Sequence, residues 1–173
     1  SWDLLQQKVF GKESCPPDFV EIGKQIAVKC GGLPLAIVVV AGLLAKTDMT
    51  QDWWKEVAGS VTSYILSDTE QCMDTLALSY NHLPHHLKLC FLYFGAFPED
   101  YEIPVRKLIW LWIAEGFIQQ IGNKNLEGVA EEYLMDLIHR NLVLVAKKRS
   151  TGGIRACRVH DVLRDLCLRK LGE

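Results

Sequence analysis

Apolar residues recur at three- and four-residue spacing along most of the chain, the pattern of helices that bury one face. Trp2, Leu5 and Val9 stand at that spacing in an opening segment that stops at Gly11. A second run starts at Cys15-Pro16-Pro17-Asp18, carries Phe19, Ile22, Ile26, Ala27 and Cys30 on one side, and ends at Gly31. The stretch from Pro34 to Lys46 differs, because Leu35, Ala36, Ile37, Val38, Val39, Val40, Leu43 and Leu44 leave it no polar face. Such a segment belongs at the centre of a bundle. Its Ile-Val-Val-Val run would also suit a buried strand, but the leading proline, the small residues and the length favour a helix. Thr50 to Leu66 reads as a fourth helix, with Trp53, Trp54, Val57, Val61 and Ile65 on its apolar side. These helices predict a small four-helix bundle over residues 1–67.

The pattern over 68–173 describes a second unit. Ser67-Asp68-Thr69 offers capping oxygens to a helix bearing Cys72, Met73, Leu76, Ala77 and Tyr80. Asn81-His82-Leu83-Pro84 is a turn, and Leu87, Cys90, Phe91 and Phe94 pack inward from the helix after it. Tyr101-Glu102-Ile103 is short and extended. Pro104 then begins a helix with Val105, Leu108, Ile109, Trp112 and Ile113 inside, closed by Gly116. Leu126, Val129, Ala130, Tyr133, Leu134, Leu137 and Ile138 mark the most regular helix. The period then changes: Leu142 to Lys147 and Ile154 to Val159 are strand-like runs around Lys148-Arg149-Ser150-Thr151-Gly152-Gly153, a hairpin signal. Asp161 is expected to cap a closing helix through Val162, Leu163, Leu166, Cys167 and Leu171. Three helices, a short strand between the first two and a hairpin after the third make a winged helix, a variant of helix–turn–helix. The fold class expected is mostly α: a four-helix bundle, then a winged-helix domain with a short β-hairpin wing.

Composition changes this picture little. The chain has 173 residues, 49% hydrophobic and 23% charged, with a formal net charge of -2. That suits ordinary globular units with a real core, and it gives no global attraction to nucleic acid or anionic lipid. The longest apolar run, Leu33 to Ala45, is broken by Gly42 and falls short of the roughly 20 residues a bilayer span requires. The chain opens on Ser1-Trp2-Asp3, inside a helical pattern and without a basic stretch leading an apolar one. No signal peptide is read there, and the segment looks like an excerpt of a longer chain. Six cysteines are scattered with no C-x-x-C pair, which points to reduced core thiols in an intracellular protein.

Candidate chemistry concentrates at two places. Lys29-Cys30-Gly31-Gly32-Leu33-Pro34-Leu35-Ala36 is a helix end, a glycine break and a proline-led restart. Gly31 can close a helix in the left-handed conformation, and Pro34 suits a first helical position. A helix corner alone accounts for these residues; it also holds the flat Pro34 ring at a fixed place. The second is Arg158-Val159-His160-Asp161, where a strand gives way to a helix. A helix start favours an anion, and an imidazole there can donate to a phosphate; a histidine packed at such a corner is the alternative.

Other chemistries find little support. DNA binding by a winged helix needs cations on its third helix, which here carries Glu127, Glu131, Glu132 and Asp136 against Arg140. Lys147, Lys148 and Arg149 suit a solvated wing turn. His82, His85 and His86 lack further clustered ligands, so no metal site is assigned. No Gly-x-x-x-x-Gly-Lys-Ser/Thr loop and no supported Ser/His/Asp arrangement occur, so no catalytic residues are assigned.

Together the pieces resemble the C-terminal part of the NB-ARC module of plant coiled-coil-type nucleotide-binding leucine-rich-repeat immune receptors. Ser1-Trp2-Asp3-Leu4-Leu5 through Gly11 is similar to the helix after the nucleotide-binding subdomain. Gly31-Gly32-Leu33-Pro34-Leu35-Ala36 matches the family's GLPLA motif. Cys90-Phe91-Leu92-Tyr93-Phe94 through Phe97-Pro98-Glu99-Asp100 and Leu108-Ile109-Trp110-Leu111-Trp112-Ile113-Ala114-Glu115-Gly116-Phe117 match two further motifs. Val159-His160-Asp161 stands where the family has Met-His-Asp, with a smaller but still apolar first residue. The resemblance spans essentially the whole chain.

It implies the regulatory part of an ADP/ATP switch: a helical subdomain (1–67) and a winged-helix subdomain (68–173) closing over ADP in the resting state. It further implies that Leu33, Pro34 and His160 contact the nucleotide, with Pro34 on the adenine and His160 on the β-phosphate. Gly31, Gly32 and Asp161 support the switch. The implied partners are the preceding nucleotide-binding subdomain and the following leucine-rich repeats of the same receptor. A pathogen effector or helper receptor docking on exposed aromatics or on the acidic third helix is the competing reading. The phosphate-binding loop, the magnesium-binding acidic strand and the sensor arginine are absent. This chain alone is therefore expected neither to hydrolyse ATP nor to hold nucleotide tightly.

Overall fold

A computed structural model of the chain describes residues 1–46, 49–61 and 68–173, with 68–72 described by backbone alone. Two compact units emerge, Ser1–His82 and Leu83–Glu173.

The first unit contains α1 (Trp2–Phe10), α2 (Pro17–Lys29), α3 (Pro34–Lys46), α4 (Gln51–Ser60) and α5 (Asp68–Asn81). Helix α3 is buried on nearly every side, through Ala36, Ile37, Val39, Val40, Ala41, Gly42, Leu43 and Leu44. Its sequence lacks a polar stripe because its neighbours α1, α4 and α5 leave no face for water. Leu5, Phe19, Ile26, Val57 and the fully buried Trp54 complete the core. Phe19 meets the Trp54 ring edge-on at 4.9 Å between centroids, a favoured geometry for paired aromatics.

Helix α4 begins where expected. Thr50 Oγ1 accepts the Trp53 N–H at 3.2 Å, satisfying one of the unpaired donors of a helix start. It ends at Ser60, and the expected continuation through Ile65 to Leu66 lies outside the described residues, as does the Ser67 cap. The sequence places a boundary between 67 and 68, whereas the compact units divide after His82, because α5 packs on α3. Met73 and Leu76 of α5 are buried accordingly.

The second unit contains α6 (His85–Leu92), a 3₁₀ turn (Tyr93–Ala96), β1 (Ile103–Pro104), α7 (Val105–Ala114), α8 (Leu126–His139), β2 (Leu144–Lys148), β3 (Ile154–Arg158) and α9 (Asp161–Leu171). The strands form an antiparallel sheet in the order β1-β3-β2, with Ile103 opposite Cys157 and Val145 also opposite Cys157. The hairpin closes through Gly152 and Gly153, at φ 84° and 94°, conformations that glycine adopts without a Cβ clash. Irregular register on either side of Lys147 bends β2. Phe91, Phe94, Leu108, Trp112, Leu137, Cys157 and Cys167 are fully buried. Gly95 lets α9 come close, since a Cβ there would lie 3.2 Å from Cys167 Cβ.

This is the winged helix expected from the hydrophobic pattern. Cys15, Cys30, Cys90, Cys157 and Cys167 are free thiols, and the side chain of Cys72 lies outside the described residues. Among the described residues no helix is long and apolar enough to cross a membrane.

Candidate functional site

The first corner joins α2 to α3. Cys30 N–H donates to Ile26 O at 3.1 Å, the last regular turn of α2. Gly31 and Gly32 then take φ of 64° and 73°, so two consecutive residues occupy the left-handed region. A side chain at Gly32 would have room, with Ser1 Oγ the nearest atom at 4.0 Å, but its backbone conformation would be strained. Leu33 N–H donates to Cys30 O, and Ile37 N–H donates to Leu33 O at 3.1 Å, so the Leu33 carbonyl starts α3. Leu33 is half-buried against the core of the first unit, whereas Pro34, the first residue of α3, is exposed. The corner thus fixes an apolar ring in contact with water on a rigid base.

The second corner joins β3 to α9, and here the sequence expectation needs correcting. The residue capping α9 is His160, not Asp161. His160 has an extended backbone (φ -62°, ψ 145°), and its Nδ1 accepts the Val162 N–H at 3.2 Å. Arg164 N–H donates to His160 O at 3.0 Å, the first regular bond of the helix. Asp161 is therefore the first helical residue, where its carboxylate favours the positive helix end without capping it. An Nδ1 that accepts must leave the proton of the neutral ring on Nε2. The exposed ring then presents an Nε2–H donor beside a helix N-terminus. Arg164 is committed elsewhere: its Nε donates to Phe97 O at 2.6 Å.

Leu33 and Pro34, with Gly31 and Gly32, belong to the first unit; His160 and Asp161 belong to the second. Each group is brought together within its own corner.

The histidines at the turn serve separate ends. His82 Nδ1 pairs with Leu78 O at 2.9 Å, and its ring meets Trp53 edge-on at 5.1 Å. His86 packs on Tyr133 at 4.7 Å. Among the described residues no three His, Cys, Asp or Glu side chains gather as metal ligands.

Helix α8 is more acidic in three dimensions than in sequence. Arg140 is buried and its Nε pairs with Asp136 Oδ1 at 2.9 Å, so its charge is turned inward. Glu127, Glu131 and Glu132 remain exposed, Glu132 paired with Lys124 at 2.7 Å.

A basic cavity at the wing was not legible in the sequence. Arg106, Lys148, Arg149 and Arg155 line it together. In sequence the hairpin cations suit a solvated turn, and Arg106 lies more than forty residues earlier. Pairing of Pro104 with Ala156 brings the first turn of α7 to β3. Only knowledge of that strand pairing would have joined them.

Residues 96–167 match the family model described as the disease resistance protein winged helix domain. Over the full chain, a late blight resistance protein homolog from Solanum demissum is 49% identical. A late blight resistance protein of the same species is 48% identical, again over the full chain. The chain spans about 13% of the length of each of these relatives. With its β1-β3-β2 sheet, its hairpin wing and this match, the chain carries the winged helix domain of disease resistance proteins.

Proposed function

We propose that the chain is the regulatory part of an ADP/ATP-dependent switch in an intracellular plant disease-resistance receptor, closing over ADP in the resting state. The observation that carries this reading is the His160 ring, which accepts the Val162 N–H at Nδ1 and presents Nε2–H at the start of α9. That donor suits a phosphate oxygen, and the helix N-terminus behind it favours the negative charge. The exposed Pro34 ring on its two-glycine corner suits the flat face of a base, with Leu33 beside it. In the intact module each corner contributes one contact to nucleotide held mainly by a preceding nucleotide-binding subdomain. Gly31 and Gly32 keep Pro34 in place, and Asp161 supports the His160 loop. The chain contributes no catalytic group and no metal ligand, and ADP or ATP is the cofactor of the whole module. Leucine-rich repeats of the same receptor are the other expected neighbour.

A ligand shifts such an equilibrium only by its differential affinity for the closed and open states, so loss of the His160 contact weakens the closed state. The test is His160→Asp in the intact receptor, because aspartate keeps a capping oxygen and removes the Nε2–H donor. Nucleotide released from the purified protein is expected to contain less ADP, and the receptor to signal without a trigger. Unchanged ADP content with no autoactivity rejects the role.

A further inference from the structure

An open cavity of about 650 Å³ lies at the base of the wing, lined by Arg106, Lys148, Arg149, Ser150, Thr151 and Arg155. It contains four cations, two hydroxyls and no carboxylate. Among the described residues none of the four cations is in an ion pair. All four are exposed, so a ligand can reach them. Arg106 has its guanidinium over the Trp110 ring, 5.5 Å from the centroid, which limits its freedom without neutralising it.

Glu127 and Glu131 line a neighbouring cavity of about 460 Å³ that shares Arg106 and Arg149. Lys148 and Arg155 line the carboxylate-free cavity and not that one. The carboxylates therefore temper two of the cations from one side and leave the wing base positive.

Four like charges around one concavity repel one another when it holds only water, and an anion relieves that repulsion. Guanidinium forks match phosphate oxygens in bidentate geometry, and the Ser150 and Thr151 hydroxyls add neutral donors. A single phosphate, at about −2, would balance only half of the cationic charge. The volume falls within the roughly 300–1,000 Å³ usual for small-ligand sites. A nucleic-acid duplex would need cations along a longer track, where α8 instead exposes Glu127, Glu131 and Glu132.

We propose that the wing base binds a compact ligand carrying two or more phosphate groups, either free in solution or as the headgroup of a polyphosphorylated lipid. This site is separate from the His160 corner and does not depend on the nucleotide reading.

The test titrates the 173-residue chain with tripolyphosphate by calorimetry at low and at physiological salt. Binding that weakens with salt is expected, with a loss of about tenfold or more in the Arg149→Ala/Arg155→Ala double variant. Lys12→Ala, an exposed cation of the first unit, should leave the affinity unchanged. Circular dichroism of the double variant checks that these exposed substitutions leave the fold intact. Sedimentation with phosphatidylcholine vesicles, with and without phosphatidylinositol bisphosphate, separates the sources. Co-sedimentation that needs both the phosphorylated lipid and the two arginines assigns the headgroup, and tripolyphosphate binding without co-sedimentation assigns a free ligand. Absence of tripolyphosphate binding, or equal affinity in the double variant, overturns the proposal. So does a mixed-sequence DNA duplex that binds more tightly than tripolyphosphate through the same arginines.

Discussion

His160 Nδ1 accepts the backbone N–H of Val162 at 3.2 Å, so one imidazole nitrogen holds the start of α9 while the other faces water. The structural and ligand roles of this ring can therefore be separated by substitution. His160→Ala removes the cap and should lower the stability of the 173-residue chain by about 1 kcal/mol. His160→Asp supplies an oxygen to the same N–H and should recover most of that loss. Urea unfolding of the three proteins checks the order; equal destabilisation by alanine and aspartate would remove capping from the account.

A second relationship governs the packing of α1 on α2. A Cβ at Gly23 would lie 2.3 Å from Trp2 Cζ3 and 3.2 Å from Trp54 Cζ3, so the Trp2 ring leaves no space for a methyl group and the Trp54 ring is tight against one. Gly23→Ala should destabilise the chain by about 1–3 kcal/mol despite the better helix propensity of alanine. The effect should shrink in a Trp2→Ala background, where the closer obstacle is gone. Denaturation midpoints across that four-protein cycle measure the coupling, and additive effects would show that the rings move aside freely.

The helices were legible because burial imposes a period, and α3 was legible as central because Ile37, Val40 and Leu44 leave no polar side. The three-strand sheet was only partly so. Its hairpin is local, whereas pairing of β1 with β3 joins Ile103 to Cys157 across more than fifty residues. The GLPLA-like corner was readable because consecutive glycines before a proline leave few backbone solutions. At the other corner the sequence pattern puts the cap one residue late, since an aspartate is a commoner cap than a histidine and sequence cannot weigh the two side by side. The basic cavity stayed hidden for the same reason as the sheet: its members meet only after the strands pair.

Burial should also set the chemistry of the thiols. Cys90, Cys157 and Cys167 are buried, and desolvation pushes each thiol up to about 12 from an ordinary value of 9.0. The thiolate is the reactive form, so these three should resist iodoacetamide in the native chain at pH 8 while Cys15, half-buried, reacts first. Unfolding at the same pH should expose them, and mass spectrometry of the alkylated peptides reads the difference. Linkage gives a further consequence. The native state keeps these protons when the unfolded chain has lost them, so their stabilisation is complete below about pH 9 and declines as pH rises toward 12. Urea midpoints should fall through that alkaline range. Rapid native alkylation of Cys167, whose Sγ–H donates to Phe91 O at 3.3 Å, would contradict its placement.

The inward turn of Arg140 bears on what the third helix of the winged helix can bind. With Arg140 paired to Asp136, the exposed charges Glu127, Glu131 and Glu132 make α8 repel the phosphates of a duplex. The 173-residue chain should therefore bind mixed-sequence DNA weakly at physiological salt. Replacing the three exposed glutamates by lysine changes the local charge by six units. That variant should gain duplex affinity and show a steeper loss of binding with added salt, since each new phosphate contact releases counterion. Fluorescence anisotropy over a salt series gives both quantities. Tight, salt-sensitive binding by the unaltered chain would mean that α8 does not face the duplex, and would make the wing cations, rather than the third helix, the contact surface.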